Sequence, residues 1–433
     1  MDSITPTSVH KIPAVAKRYW RPTAGVLGLA MAVTAFVVPW HHSSPSPMRS
    51  TANTAAVASS APVTTPTATK AAAPAPTKAA PPASAVVNTT LTAKVPGKAP
   101  KMPWPHTGQA GISLVGGGVL GVSGKQSPAP TASMAKAMTA YIVLKDHPMH
   151  GGQSGPVIHV TRAEAAAVAL DIRQDQQILH VYSGERLTEK QALDALMLKS
   201  ANNVARILAR WDAGSIPAFL NKMNATAKQL GMSSTHYTDP SGWDAKTLST
   251  TTDQMKLASI AMERSDFARV VGTKSAIVPV EGRIANVNPL LGQDGIVGIK
   301  TGSMSAAGGC LMFAAKKSVA GQTVTVVGTV MGQRNGYIGD LHQAFASSKS
   351  LVEAMNRVVG SHRVIKAGQV VATVPSTHQQ LVATKNVNVV GWSGMTYTQT
   401  IKATVAASAK AGAKVGSLTV TGGAAASVPV AVK

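Results

Sequence analysis

Three short motifs in one order constrain this chain more than any other feature: Ser133-Met134-Ala135-Lys136, Ser200-Ala201-Asn202 and Lys300-Thr301-Gly302, about 70 and 100 residues apart. Alone, each is weak, since a Ser-x-x-Lys arises by chance about once or twice in a chain of this length. Together they supply a nucleophile, a base, a proton relay and a carboxylate receptor, provided the fold brings the three segments to one point. A serine hydroxyl is a poor nucleophile until a neighbouring base takes its proton. Lysine is that base only when burial or a second cation destabilises its ammonium. Ser133 and Lys136 stand three apart in the Ala/Met-rich segment 132–145, which reads as a buried helix with both on one face. Lys300 is the candidate second cation. Ser200 can relay a proton to a leaving amine, and Asn202 can hold a peptide group. Lys300-Thr301-Gly302 reads as closing a strand; Lys300 and Thr301 suit a terminal carboxylate, and Gly302 lets backbone and substrate approach closely. The backbone N–H groups of Ser133 and Ser303 are candidates for an oxyanion hole. Each motif also has a plain structural reading: a surface pair on an amphipathic helix, a helix junction, a β-turn.

The chain divides by texture. Residues 1–22 are basic, with Lys11, Lys17, Arg18 and Arg21 ahead of the charge-free run 23–40 (TAGVLGLAMAVTAFVVPW), while only Arg49 follows closely. Its length is close to that of a bilayer span, and the charge asymmetry keeps the N-terminus cytoplasmic and exports the rest. A single-pass membrane anchor is expected; secretion after signal cleavage is the alternative, although Ala30-Met31-Ala32 falls mid-segment. Residues 41–107 collapse to Ala, Pro, Thr, Ser and Lys and read as an extended, disordered linker. Residues 108–360 form the catalytic domain. It opens on a hairpin around the glycines 116–118, with capping boxes at Thr161-Arg162-Ala163-Glu164 and Thr188-Glu189-Lys190-Gln191. The segment 191–211 reads as helix on both sides of Ser-Ala-Asn; strands follow at 296–301, 309–315 and 323–331, and a helix at 339–359. Residues 361–433, short and β-branched, read as a small all-β domain.

Acidic groups are scarce: 18 Asp and Glu against 41 Lys and Arg, a formal charge of +23. The surplus favours anionic partners, and in an exported protein these are acidic wall polymers or lipid headgroups. Nucleic acid is not expected, because the bases are scattered and no aromatic-interleaved run accompanies them. Cys310 is the only cysteine and lies in an apolar strand, and the histidines show no ligand spacing. No metal and no cofactor are expected.

The motif trio is the signature shared by penicillin-binding proteins and class A β-lactamases. The segments PTASMAKAMTAYIVL, LMLKSANNVARILA, TDPSGWDAKTLSTTTDQM and GIVGIKTGSMSAAGGCLMFAAKK resemble the D-alanyl-D-alanine carboxypeptidases, the low-molecular-mass penicillin-binding proteins. The resemblance covers about residues 108–360, and the β-rich tail resembles the C-terminal domain of many members. It implies an α/β (α+β) fold, β-lactamase/transpeptidase-like, with an antiparallel sheet packed between helices. It also implies peptidoglycan stem peptides as substrate and β-lactams as inhibitors. By position, Ser133 attacks the carbonyl, Lys136 takes its proton, Ser200 relays one to the departing D-Ala, and Asn202 positions the acyl part. Lys300 and Thr301 then grip the carboxylate, beside Gly302 and Ser303. The chain departs from the family pattern at Asn203 and Asp239, where Asp and Asn respectively are commoner. It also lacks the family's usual C-terminal amphipathic helix and any Glu-x-x-Leu-Asn segment between the second and third motifs. A D,D-endopeptidase, a weak β-lactamase and a silent wall-binding scaffold are the competing readings.

Overall fold

The computed structural model describes residues 84–336, 339–423 and 425–433. The expected cytoplasmic segment, anchor and most of the linker lie outside them. Among the described residues no helix is long and apolar enough to cross a membrane.

One correction concerns the linker. Residues 85–94 form a strand, β1 (Ala85–Lys94), rather than extended coil. Its sequence AVVNTTLTAK is rich in β-branched residues (Val86, Val87, Thr89, Thr90 and Thr92), a signal hidden when it is averaged with the Ala/Pro run before it. Val87 turns inward at 5% exposure, and Val95 just beyond it is buried. β1 belongs to the C-terminal domain, which is therefore built from both ends of the described chain.

The catalytic domain is organised around a five-stranded antiparallel sheet. Its strands are β2 (Gln109–Leu114), β3 (Gly118–Ser123), β4 (Ile296–Met304), β5 (Gly308–Val319) and β6 (Gln322–Gln333), in the order β4-β5-β6-β2-β3. β5 shows why both faces are covered. Cys310, Met312 and Ala314 pack into the helical core that holds the catalytic motifs, while Leu311, Phe313 and Ala315 pack with α8 (Gly339–Val358) and the β domain. This period-two alternation, apolar on both sides, marks β5 as a strand buried on both faces over most of its length.

Among the described residues seven α-helices precede α8: α1 (Lys136–Asp146), α2 (Arg162–Arg173), α3 (Glu189–Leu198), α4 (Asn202–Ala213), α5 (Ile216–Gln229), α6 (Thr251–Glu263) and α7 (Ser265–Val271). Both expected capping boxes form, at Thr161/Glu164 and Thr188/Gln191.

The β domain adds β7 (Gly360–Ile365), β8 (Val370–Thr373), β9 (Gln380–Ala383), β10 (Val387–Gly391), β11 (Thr396–Val405), β12 (Lys414–Thr421) and β13 (Ala426–Val432). Six strands form one sheet, β1-β11-β12-β13-β9-β8, and β7 pairs with β10. The inner face, with Ile401, Leu418, Val420 and Val430 at zero exposure, joins the core shared with α8.

Candidate active site

The segment 132–145 is not one helix. Ala132 adopts φ +46°, in the left-handed region, and a 3-10 turn spans Ala132–Ala135 before α1 begins at Lys136. The kink presents Ser133 at the surface: from Thr131 to Leu144 it is the one residue not fully buried. Ser133 and Lys136 nevertheless meet, with Lys136 Nζ 2.9 Å from Ser133 Oγ.

Lys136 is completely buried, and its other two contacts are Asn202 Oδ1 at 2.6 Å and the Ser241 carbonyl at 2.8 Å. Both are acceptors only, so they hold two N–H bonds. In a neutral amine the remaining position is a lone pair, and it points at the Ser133 hydroxyl. Burial pushes the Lys136 pKa well below its ordinary value, and the Lys300 and Arg206 charges push the same way; the Asp239 carboxylate opposes them. The geometry therefore favours the form of lysine that can take a proton from serine.

The Ser241 carbonyl is delivered by a folded loop. Asp239 accepts from Ser241 Oγ (2.6 Å), Gly242 N (2.8 Å) and Trp243 N (3.0 Å), and Thr139 Oγ1 donates to the Pro240 carbonyl (2.6 Å). Gly242 has φ +76°, and a Cβ there would run into the Ala132 carbonyl oxygen, so the loop lies directly on the Ser133 turn. An Asp-Pro-Ser-Gly run is a turn signal in any sequence, but nothing in it says that its carbonyl feeds a lysine. Sequence reasoning missed this role.

The link between α3 and α4 carries the second motif. Ser200 has φ +64° and is buried, and Asn202 is the first residue of α4. The Asn202 carboxamide is engaged at both ends: Oδ1 holds Lys136, and Nδ2 donates to Gln176 Oε1 at 3.0 Å. It thus positions the base rather than presenting an idle amide to substrate. Asn203 explains itself here, because its amide accepts from Leu179 N (3.0 Å) and donates to the Leu179 carbonyl (2.7 Å). A carboxylate cannot make the second bond. On the other side, Lys199 pairs with Glu281, which also accepts from His180 N at 2.8 Å.

The third motif sits within β4 rather than at its end: Gly302 pairs with Cys310 and Ser303 with Gly309 before the hairpin turns. A Cβ on Gly302 would stand 3.0 Å from the Thr131 carbonyl and 3.3 Å from Met134 N. This brings the strand against the Ser133 turn, so that a side chain at Gly302 would have to push that turn away by a few tenths of an ångström. Lys300 is 1% exposed, and burial lowers its pKa to about 7. Its Nζ donates to the Thr301 carbonyl (3.1 Å) and to Thr301 Oγ1 (3.3 Å), which leaves the third direction of an ammonium for an incoming anion. Ser303, beside it, is exposed. Cys310 is buried and its thiol is pushed up to about 11 by desolvation, as suits a packing residue.

A serine on a buried lysine, a second buried lysine and a serine-bearing helix junction on one side of a five-stranded sheet can be compared with known proteins. The family model described as D-alanyl-D-alanine carboxypeptidase (Peptidase_S11) matches residues 111–335, more than half of the chain. The chain belongs to this family of serine peptidases. It is 34% identical over 218 residues to the D-alanyl-D-alanine carboxypeptidase of Streptomyces sp. (strain K15), covering 46% of this chain and 72% of that one. It is 33% identical to the D-alanyl-D-alanine carboxypeptidase DacB2 of Mycobacterium tuberculosis, over 41% of this chain and 59% of the relative. To the D-alanyl-D-alanine endopeptidase of Escherichia coli it is 30% identical, over 42% and 58%. The chain thus spans under two thirds of the length of the latter two. Among solved structures, the Streptomyces K15 DD-transpeptidase matches 60% of this chain and 98% of its own at TM-score 0.50 and 27% identity. Penicillin-binding protein 5 from Haemophilus influenzae matches 78% of this chain and 98% of its own at TM-score 0.55 and 18% identity, which extends the shared fold into the β domain.

Within this D-alanyl-D-alanine carboxypeptidase the structure brings Ser133, Lys136 and Asn202 into direct contact, with Gly302 packed on the Ser133 turn and Lys300 inside the same electrostatic field. Gln176, Asp239 and Ser241 complete the site, and none carries a motif that names it.

Proposed function

We propose that this enzyme removes the terminal D-Ala from peptidoglycan stem peptides through an acyl-enzyme on Ser133. The observation that carries the reading is the Lys136 amine, fully buried, held by two acceptors and 2.9 Å from the serine hydroxyl. Lys136 takes the hydroxyl proton as Ser133 Oγ bonds to the penultimate D-Ala carbonyl. The C–N bond to the terminal D-Ala then breaks as Ser200 gives its proton to the leaving amine and takes in its place the one that Lys136 holds, which returns Lys136 to the neutral amine. Lys300 and Thr301 receive the terminal carboxylate, and Gly302 and Ser303 line its approach. Water attacks the ester, releases the shortened peptide and restores the serine. β-Lactams acylate Ser133 by the same first step. The charge-free run 23–40 tethers the enzyme to the cell membrane, with the catalytic part outside; alkaline carbonate extraction of membranes checks this, since a secreted form stays in the supernatant.

The direct test is D-Ala release from a synthetic pentapeptide ending in D-Ala-D-Ala. Turnover by the native enzyme and none by Ser133→Ala supports the proposal. Cleavage of cross-linked muropeptide dimers with no release from the pentapeptide makes it an endopeptidase instead.

A further inference from the structure

The two domains differ in charge. Of the 18 Asp and Glu, all but Asp2 lie between Asp146 and Glu353. The β domain, residues 85–107 and 360–433, carries ten Lys and Arg and no Asp or Glu. Among the described residues every ion pair joins side chains from Asp146 to Glu353, so none of these ten is paired.

The strand register gives this charge a platform. Residues opposite one another in adjacent strands share a face. Thr90, Thr400 and Thr419 form one cross-strand row, and Asn88, Lys402 and Ser417 form the row beside it. Lys94 stands at the end of β1 on the same face, opposite Thr396. The hydroxyls are linked sideways, Thr90 Oγ1 lying 3.2 Å from Thr400 Oγ1. The reverse face is the buried one, with Val87, Ile401 and Leu418. Across β1, β11 and the paired stretch of β12, the outward face holds no aromatic side chain and one large apolar one, Val86.

We propose that this face docks a hydrated polyanion: a polyol chain linked by phosphodiesters, laid along the strands. Lysine ammonium groups meet phosphates as point charges, and the threonine rows offer donors and acceptors to polyol hydroxyls. No carboxylate stands among them to repel the chain. A membrane surface fits less well, because interfacial docking inserts aromatic and large apolar side chains. Single-stranded nucleic acid fits less well too, since there is no ring for a base to stack on. The inference is independent of the catalytic reading: such a surface holds the enzyme in an anionic wall whatever bond it cuts.

The test is binding of full-length protein in detergent to a defined poly(glycerol phosphate), measured by biolayer interferometry at low and moderate salt. The expected result is salt-sensitive binding, weakened at least several-fold by Lys94→Gln/Lys402→Gln and hardly altered by the control pair Lys145→Gln/Lys228→Gln. Unchanged benzylpenicillin acylation verifies that the variants are folded. No binding, or equal weakening by both pairs, overturns the proposal. Equal affinity for polyglutamate of matched charge overturns the phosphodiester assignment. Loss of binding to phosphatidylglycerol vesicles in the Lys94/Lys402 pair, with no affinity for the polymer, makes the partner a membrane and overturns it as well.

Discussion

Around Ser133 the chain breaks local rules that the β domain keeps. Two non-glycine residues in the left-handed region, Ala132 and Ser200, flank or carry the two serines of the proposed mechanism, and two lysines, Lys136 and Lys300, are buried at 0% and 1% exposure. Each left-handed residue costs about 1–2 kcal/mol, and a buried cation more, unless it sheds its proton. From residue 360 onward one described non-glycine residue has positive φ, His378, and no buried side chain carries a charge. There, alternating strands pair in register around an apolar interior. The difference separates two jobs. Regular packing supplies stability, and the strained, dry junction of the Ser133 turn, the α3–α4 link and β4 spends some of it on reactivity.

That separation can be broken by mutation. The largest effect should follow Lys136→Ala, which removes the base: benzylpenicillin acylation falls at least about 10³-fold while the melting temperature holds or rises, as a buried cation site is lost. Stopped-flow acylation beside calorimetry checks it, and equal loss of both would mean the site and scaffold are not separable. Leu418→Ala does the reverse. A fully buried leucine of β12 is truncated, so stability falls by about 2–5 kcal/mol, with acylation per folded molecule unchanged. Urea titration and active-site counting measure the two sides.

Asp239→Asn sharpens the account of the site. The Asp239 charge favours the protonated form of Lys136, whereas Lys300, on β4, and Arg206, on α4 and paired with Asp171, oppose it. Removing the Asp239 charge lowers the Lys136 pKa further, so the acid limb of kcat/KM moves to lower pH. The alkaline limb, set by loss of the Lys300 proton at about 7, stays. A pH–rate profile decides; an unmoved acid limb would leave Asp239 only a loop-folding part.

The smallest effect concerns Glu189, the first residue of α3, whose carboxylate oxygens lack a hydrogen-bond partner within the described residues. Burial, then the charges of Asp266 and Asp212, raise its pKa from 4.5 to about 7. In that window the folded protein keeps a proton the unfolded chain has lost, so stability falls as pH rises from 4.5 to 7. Glu189→Gln should remove this slope, leaving the variant more stable than the native protein above pH 7 and alike below 4.5. Parallel slopes would contradict it.

Much of this was legible in the residues. The motif trio specified Ser133, Lys136 and Asn202, and the structure brings them into contact. Capping boxes placed the starts of α2 and α3 because a Thr and a Glu or Gln three residues on satisfy two backbone donors at once. What escaped depends on tertiary contact. Ala132 has high helix propensity, so its left-handed turn arises from packing against the 239–243 loop and β4, not from its own preference. Gln176 acts through one hydrogen bond to a distant segment, and the local turn at Asp239 reaches Lys136 only because Thr139 ties that loop to α1, neither of which a local pattern encodes. β1 was lost in the linker because pairing with β11, three hundred residues away, is what makes it a strand.

The central claim is that Ser133 forms a covalent acyl-enzyme with Lys136 as its base. Intact-mass analysis after exposure to benzylpenicillin tests it most directly, with Ser133→Ala alongside. The account predicts one adduct of penicillin mass, mapped to the peptide holding Ser133 and absent from the variant. An adduct that survives in Ser133→Ala, or native protein that neither forms an adduct nor turns penicillin over, would contradict it.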